Sequence, residues 1–173
     1  MPPFRRGGFA GSFVLLIVAA LVVGRPDIGE LLSKLRPGPP PAARAYVIRA
    51  VDGDTIEVRL AGHREDVRYI GVDTPETVKP DTPVQCFGPR ASRFNHRLVE
   101  HRTVRLVFGE ERRDVYGRLL AYVYLKRRFV NAMLVDKGLA RTLTIPPNDR
   151  YAPLFKRLEM HAARAGRGLW SAC

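Results

Sequence analysis

The chain has 173 residues and a net charge of +12, enough length for one domain with a proper core. Six of the 29 Lys/Arg and two of the 17 Asp/Glu fall in residues 1–44, which leaves 23 and 15 and a net +8 on the remainder. The basic excess therefore belongs to the folded part and favours a polyanionic partner, nucleic acid or an anionic membrane surface, over the bland reading of charge for solubility. The two cysteines, Cys86 and Cys173, fit a zinc ribbon poorly, because that needs four ligands at short spacing. They leave two unrelated thiols or, in an oxidising compartment, one disulfide, to which chain entropy assigns at most roughly 4–5 kcal/mol.

Arg5 and Arg6 precede an unbroken apolar run from Phe13 to Val23. It is short for a bilayer span and suits the hydrophobic region of a signal peptide over 1–24. The best cleavage pattern is Val22-Val23-Gly24, and an uncleaved anchor recruiting residues 7–24 is the alternative. Either one puts the rest of the chain outside the cytoplasm. Residues 25–43 contain Arg36-Pro37-Gly38-Pro39-Pro40-Pro41 and read as an extended spacer. The domain is expected over 44–173.

Tyr46 to Ala50 reads as a strand running into an Asp52-Gly53 turn. Ile56, Val58 and Leu60 then alternate with polar residues, as a half-buried strand requires. A hairpin turn at Ala61-Gly62-His63 leads to a third strand over 66–72. Arg68 shares the apolar face of that strand. It either snorkels to the surface or points into a charged cleft. Residues 77–87, with Pro80 and Pro83, read as an exposed loop.

Pro89 starts a helix whose apolar face is Ala91, Phe94, Asn95, Leu98 and Val99. His96 and His101 lie on it at a spacing unsuited to one metal site. A fourth strand over Val104–Phe108, a charged turn over 109–114 and a fifth strand over 118–125 come next. Val130, Met133 and Leu134 begin a short helix capped by Gly138. Asn148 is the expected N-cap of the last helix, whose buried face includes Leu154, Phe155 and Leu158. Trp170 is expected to pack back on the domain. Five short antiparallel strands and three helices suggest an α+β fold built on a five-stranded OB-fold barrel.

Asp52, Asp54, Asp66, Asp73 and Glu76 gather five acidic groups within one stretch of a basic chain. Such a cluster suits a hard cation, which takes oxygen ligands. Asp-Gly and Asp-Thr-Pro are also ordinary turn chemistry, and the residues alone leave both readings open.

Taken together, Val51-Asp52-Gly53-Asp54-Thr55, Arg68, Val72-Asp73-Thr74-Pro75-Glu76-Thr77, Tyr116-Gly117-Arg118, Val130-Asn131 and Gly138-Leu139-Ala140 resemble the staphylococcal nuclease family. The resemblance implies an OB-fold and a calcium-dependent phosphodiesterase acting on DNA and RNA, single-stranded or denatured by preference, as a monomer. It implies calcium ligands in the Asp54 and Asp73 carboxylates and the Thr74 carbonyl. Glu76 would orient or deprotonate water, Arg68 and Arg118 would hold the phosphate, Tyr116 would touch substrate, and Asp52 would sit just outside the metal's ligands. The N-terminal segment, Val115 where the family type has a lysine, and the lack of aromatics after Ala140 depart from that type. The cysteine pair departs too, and a Cys86–Cys173 bridge would pin the active-site loop to the last helix. A non-catalytic nucleic-acid-binding or protein-interaction module on the same fold is the rival reading.

Overall fold

A computed structural model describes residues 41–77 and 83–173. The expected signal or anchor, most of the Pro-rich spacer and the middle of the 77–87 loop lie outside these residues. These described residues form eight strands and four helices, in order β1 (Ala42–Ala50), β2 (Thr55–Leu60), β3 (His63–Tyr69), β4 (Gly71–Asp73), α1 (Gly88–Val99), β5 (Thr103–Arg113), β6 (Leu119–Leu125), β7 (Arg128–Phe129), α2 (Val130–Asp136), β8 (Arg141–Leu143), α3 (Ala152–Arg164) and α4 (Leu169–Ala172). Among the described residues no helix is long and apolar enough to cross a membrane.

The strand order β3-β2-β1-β5-β6 closes on itself through a β3–β6 pairing, giving the five-stranded barrel of an OB-fold, with β7 added beside β6. The closing pair is parallel, with Val67 opposite Leu119 and Arg68 opposite Leu120. The expected all-antiparallel pattern is therefore corrected at one seam. That seam matters for function, because it brings Arg68 at the end of β3 beside the start of β6, next to Arg118. The interior is filled by Val47, Ile56, Val58, Val67, Leu106 and Val123, none measurably exposed. These are the inward positions of alternating strands. Val99 of α1, Leu134 of α2 and Phe155 of α3 close over the same core.

Several boundaries differ from the sequence expectation for identifiable reasons. Ala61 and Gly62 both have positive φ, 50° and 87°, so the hairpin turn is these two residues and His63 already belongs to β3. The third strand ends at Tyr69, and Gly71, the first residue of β4, has φ +79° at a point where a Cβ would collide with the Phe155 ring. Beyond it, β4 leaves the barrel and pairs with β8, Asp73 opposite Arg141. The expected charged turn over 109–114 is mostly strand. β5 continues to Arg113 through an irregularity after Phe108, and Arg113 forks onto Glu65 at 2.8 and 2.9 Å.

Asn148 is not a helix cap. Its amide donates to the Glu111 carbonyl at 2.9 Å and accepts the Glu111 N–H at 3.2 Å, so it serves the extended end of β5. Tyr151 occupies the N-cap position of α3, with no side-chain cap. Gly138 does end α2, at φ +65° with its N–H on the Val135 carbonyl. Trp170 lies under the Arg141 guanidinium, 4.6 Å from ring centroid to Cζ.

Candidate active site

The turn between β1 and β2 sets the first carboxylate. The Asp52 side chain accepts the Asp54 N–H at 2.9 Å, an Asx turn that fixes the backbone. Gly53 passes so close to Thr74 that a Cβ would lie 2.6 Å from its hydroxyl oxygen. Glycine thus lets the β1–β2 turn lie flat against the end of β4. In consequence Asp54, only 4% exposed, accepts the Thr74 N–H at 2.6 Å and the Thr74 hydroxyl at 2.9 Å.

Arg68 supplies the charge opposite. Its guanidinium reaches Asp54 and Asp73, each at 2.8 Å, and donates to the Val72 carbonyl at 2.9 Å. Of the two sequence readings of Arg68, the structure adopts the inward one: the side chain is mostly buried and faces the cleft. Burial pushes the Asp54 carboxyl up to about 7, with the Asp52 charge adding to that, while Arg68 and the Thr74 hydrogen bonds oppose it. One guanidinium shared between two carboxylates leaves this site short of positive charge.

Arg118 is built differently. Asp114 accepts the Arg118 main-chain N–H on one oxygen at 2.9 Å and its Nε on the other at 2.7 Å. The Asp114–Arg118 turn is closed by bonds from Asp114 N–H to the Arg118 carbonyl at 3.0 Å and from Gly117 N–H to the Asp114 carbonyl at 2.9 Å. Among the described residues the terminal nitrogens of Arg118 have no protein hydrogen-bond partner. Tyr116, 82% exposed, stands beside this guanidinium with its ring centroid 5.4 Å from Cζ. Glu76 lies just past β4 on the rim, half-buried, one carboxylate oxygen accepting the Thr77 N–H at 2.8 Å.

Every residue assigned a metal, phosphate, water or substrate role from the sequence lines one open cleft of about 540 Å³, and so do Arg49 and Asp66. Cys86 and Cys173 do not line it. They are joined in a disulfide with Cα atoms 5.9 Å apart. Among the described residues no three carboxylate, imidazole or thiolate side chains form a metal cluster. The cleft offers the carboxylates of Asp52, Asp54, Asp66, Asp73 and Glu76, all oxygen donors. That set fits a hard cation, which completes its shell with water, and the charge deficit at Asp54 favours one.

Compared with known proteins, residues 66–172 match the family model described as staphylococcal nuclease homologue. The chain is 46% identical over 127 residues to the thermonuclease of Staphylococcus intermedius, covering 73% of this chain and 76% of that protein. This chain belongs to the staphylococcal nuclease family. It is also 44% identical over 125 residues to the thermonuclease of Staphylococcus hyicus, covering 72% and 74%. With endonuclease YncB of Bacillus subtilis (strain 168) it shares 45% over 125 residues, 71% of this chain and 59% of that protein.

Three further residues of this staphylococcal nuclease domain serve the site and are not marked by the family motifs. Asp114 carries Arg118, and Asp-x-x-Gly is a turn signature that signals its place. Asn95 is fully buried, accepting from the Tyr69 hydroxyl and donating to the Asp52 carbonyl, both at 2.9 Å. An asparagine on an otherwise apolar helix face is its only sequence mark. Gln85 contacts the main chain of Glu76, and nothing in its local sequence announces that.

Proposed function

We propose that the chain is a hydrolytic nuclease, a phosphodiesterase that uses calcium and cuts DNA and RNA without regard to sugar. The observation that carries this reading is the convergence of two guanidiniums, Arg68 and Arg118, on one cleft with a buried, charge-deficient carboxylate. A binding module needs cations for phosphate. It does not need a buried aspartate beside them.

Asp54, Asp73 and the Thr74 carbonyl would hold calcium. When bound, calcium supplies fixed positive charge beside the oxygens of the scissile phosphate. Arg68 pairs with both Asp54 and Asp73. The planar fork of the Arg68 guanidinium matches a pair of phosphate oxygens. Arg118, oriented by Asp114, offers its terminal nitrogens to the same group. Charge on the equatorial oxygens grows in the transition state, so donors already aimed there lower the barrier more than they tighten ground-state binding. Glu76 orients the attacking water or takes its proton. Next to both arginines lies a mainly apolar recess of about 300 Å³, lined in part by Leu120, Leu143 and Ile145. It suits a base or sugar attached to the phosphate, with Glu111, Tyr116 and Asn148 also on its wall.

We also place the domain outside the cytoplasm, as a monomer, with residues 1–24 as signal or anchor. The Cys86–Cys173 bridge supports the placement outside the cytoplasm, since such bonds persist in oxidising compartments. The deciding experiment is cleavage of denatured DNA and of RNA with calcium titrated in and then chelated. Calcium-dependent hydrolysis of both supports the reading. Tight binding with no cleavage at any calcium concentration supports the non-catalytic rival.

A further inference from the structure

Glu76 sits outside any strand or helix, so its placement needs support from elsewhere. Gln85 grips its main chain on both sides. The Gln85 N–H donates to the Glu76 carbonyl at 2.9 Å, and the Glu76 N–H donates to Gln85 Oε1 at 3.0 Å. The next residue is Cys86, bonded to Cys173 across 87 positions of sequence. Two positions later, Gly88 at the start of α1 presses on the same segment. A Cβ there would lie 2.6 Å from Thr77 Cγ2 and 2.9 Å from the Pro75 and Glu76 carbonyl oxygens. Cys173 ends α4, which is itself fastened to the end of α2 by a bond from Leu169 N–H to the Gly138 carbonyl at 2.9 Å.

We propose that Gln85 is a positioning residue for Glu76, and that the Cys86–Cys173 bridge is what keeps Gln85 in that place. Breaking the bridge then slows turnover and leaves substrate binding unchanged. The inference rests on the role given to Glu76 above. The physical case is that Gln85 is exposed, so water competes for both of its bonds to Glu76. Local openings of such segments are cheap unless something covalent limits them. The bridge is that limit, and it ties the segment to the C-terminal helices rather than to the cleft. Asp54, Arg68, Asp73 and Arg118 are held by their own partners and make no hydrogen bond to Gln85, so substrate and cation contacts survive its displacement. A dithiol reductant reverses the state: its thiolate attacks a bridge sulfur, the mixed disulfide resolves, and the protein gains two thiols while the reductant leaves as a cyclic disulfide.

The test uses the full oxidised chain on denatured DNA at saturating calcium, with folding tracked by circular dichroism. Glu76→Gln is measured first. If it turns over like the parent, Glu76 has no role to be positioned for, and both readings fall. With Glu76→Gln impaired, Gln85→Ala is expected to lower kcat about three- to tenfold at unchanged KM, and Gln85→Glu, which keeps an acceptor for the Glu76 N–H, to recover most of it. Cys86→Ser/Cys173→Ser, or dithiol reduction of the parent where that variant does not fold, is expected to give the same loss, non-additive with Gln85→Ala. In the Glu76→Gln background both changes should have no further effect. Full turnover of Gln85→Ala, or an equal loss from it in the Glu76→Gln background, overturns the proposal while leaving the role of Glu76 standing.

Discussion

Arg118 owes its orientation to one carboxylate that holds it at the main chain and at Nε. The guanidinium is thereby turned before substrate arrives, which is the condition for electrostatic catalysis. Arg118→Ala should lower kcat by about a hundredfold or more, as loss of a transition-state donor does. Arg118→Lys should not restore it, because a point charge cannot replace the fork. Asp114→Asn keeps the turn and removes the charge. It should cost roughly tenfold in kcat with little change in melting temperature, since misaimed groups lose rate faster than the fold loses stability. Steady-state kinetics on denatured DNA, paired with thermal melts, separates the two cases. Asn95 acts on stability instead. Asn95→Leu strands the Tyr69 hydroxyl and the Asp52 carbonyl. At about 1–3 kcal/mol per buried unsatisfied group, unfolding in urea should show a loss of roughly 2–6 kcal/mol.

The elements show which parts of the fold can be read from sequence. Strand β2 and the first half of β5 announce themselves because apolar residues alternate with others, Ile56, Val58 and Leu60 in one and Val104, Leu106 and Phe108 in the other, and Asp52 to Thr55 identifies itself as a turn. Gly71 is harder to read. Its place is set by Phe155, far along the chain, which occupies the space a side chain would need. Asn148 looks like a cap by local chemistry, and a long-range partner, Glu111, claims it first. The site is legible where motif residues carry the chemistry and illegible where Gln85 and Asn95 act through tertiary contacts.

Glu159 of α3 belongs to this second class. Only 8% exposed, it accepts from the Thr142 N–H and hydroxyl at 2.9 Å and from Lys156 at 3.0 Å, fastening α3 to β8. Burial acts to raise its carboxyl, but the Thr142 and Lys156 bonds outweigh it and hold the group below the ordinary value of 4.5. A depressed carboxyl stabilises the fold above that value, and the contribution is lost as pH falls below it. Glu159→Gln should therefore destabilise by about 1.5–3 kcal/mol at pH 7, the worth of charged hydrogen bonds. The gap to the parent should close as the pH of the urea titration drops below the ordinary carboxyl value; a gap that stays constant with pH assigns the loss to shape alone.

At the scale of the whole molecule, the question is which of its many cations a nucleic acid meets. The chain carries +12, yet the structure separates its basic groups. Arg49, Arg68 and Arg118 line the cleft. Arg102, Lys126 and Arg128 surround a separate groove of about 550 Å³ at the far end of β6, with no ion-pair partner among the described residues. At roughly 3.3 Å per residue, β6 sets the two groups about 20 Å apart. The screening length at physiological salt is about 8 Å, so the far group is electrically remote from a short strand bound in the cleft. For a short single-stranded oligonucleotide, the slope of log Kd against log salt should reflect cleft contacts alone, at about 0.7 per neutralised phosphate. Arg118→Ala should lower that slope by about 0.7, whereas replacing Arg102, Lys126 and Arg128 together by serine should leave it unchanged despite removing three charges. A drop of similar size from the distant triple replacement would mean that net charge, and not the arrangement at the cleft, governs how substrate is held.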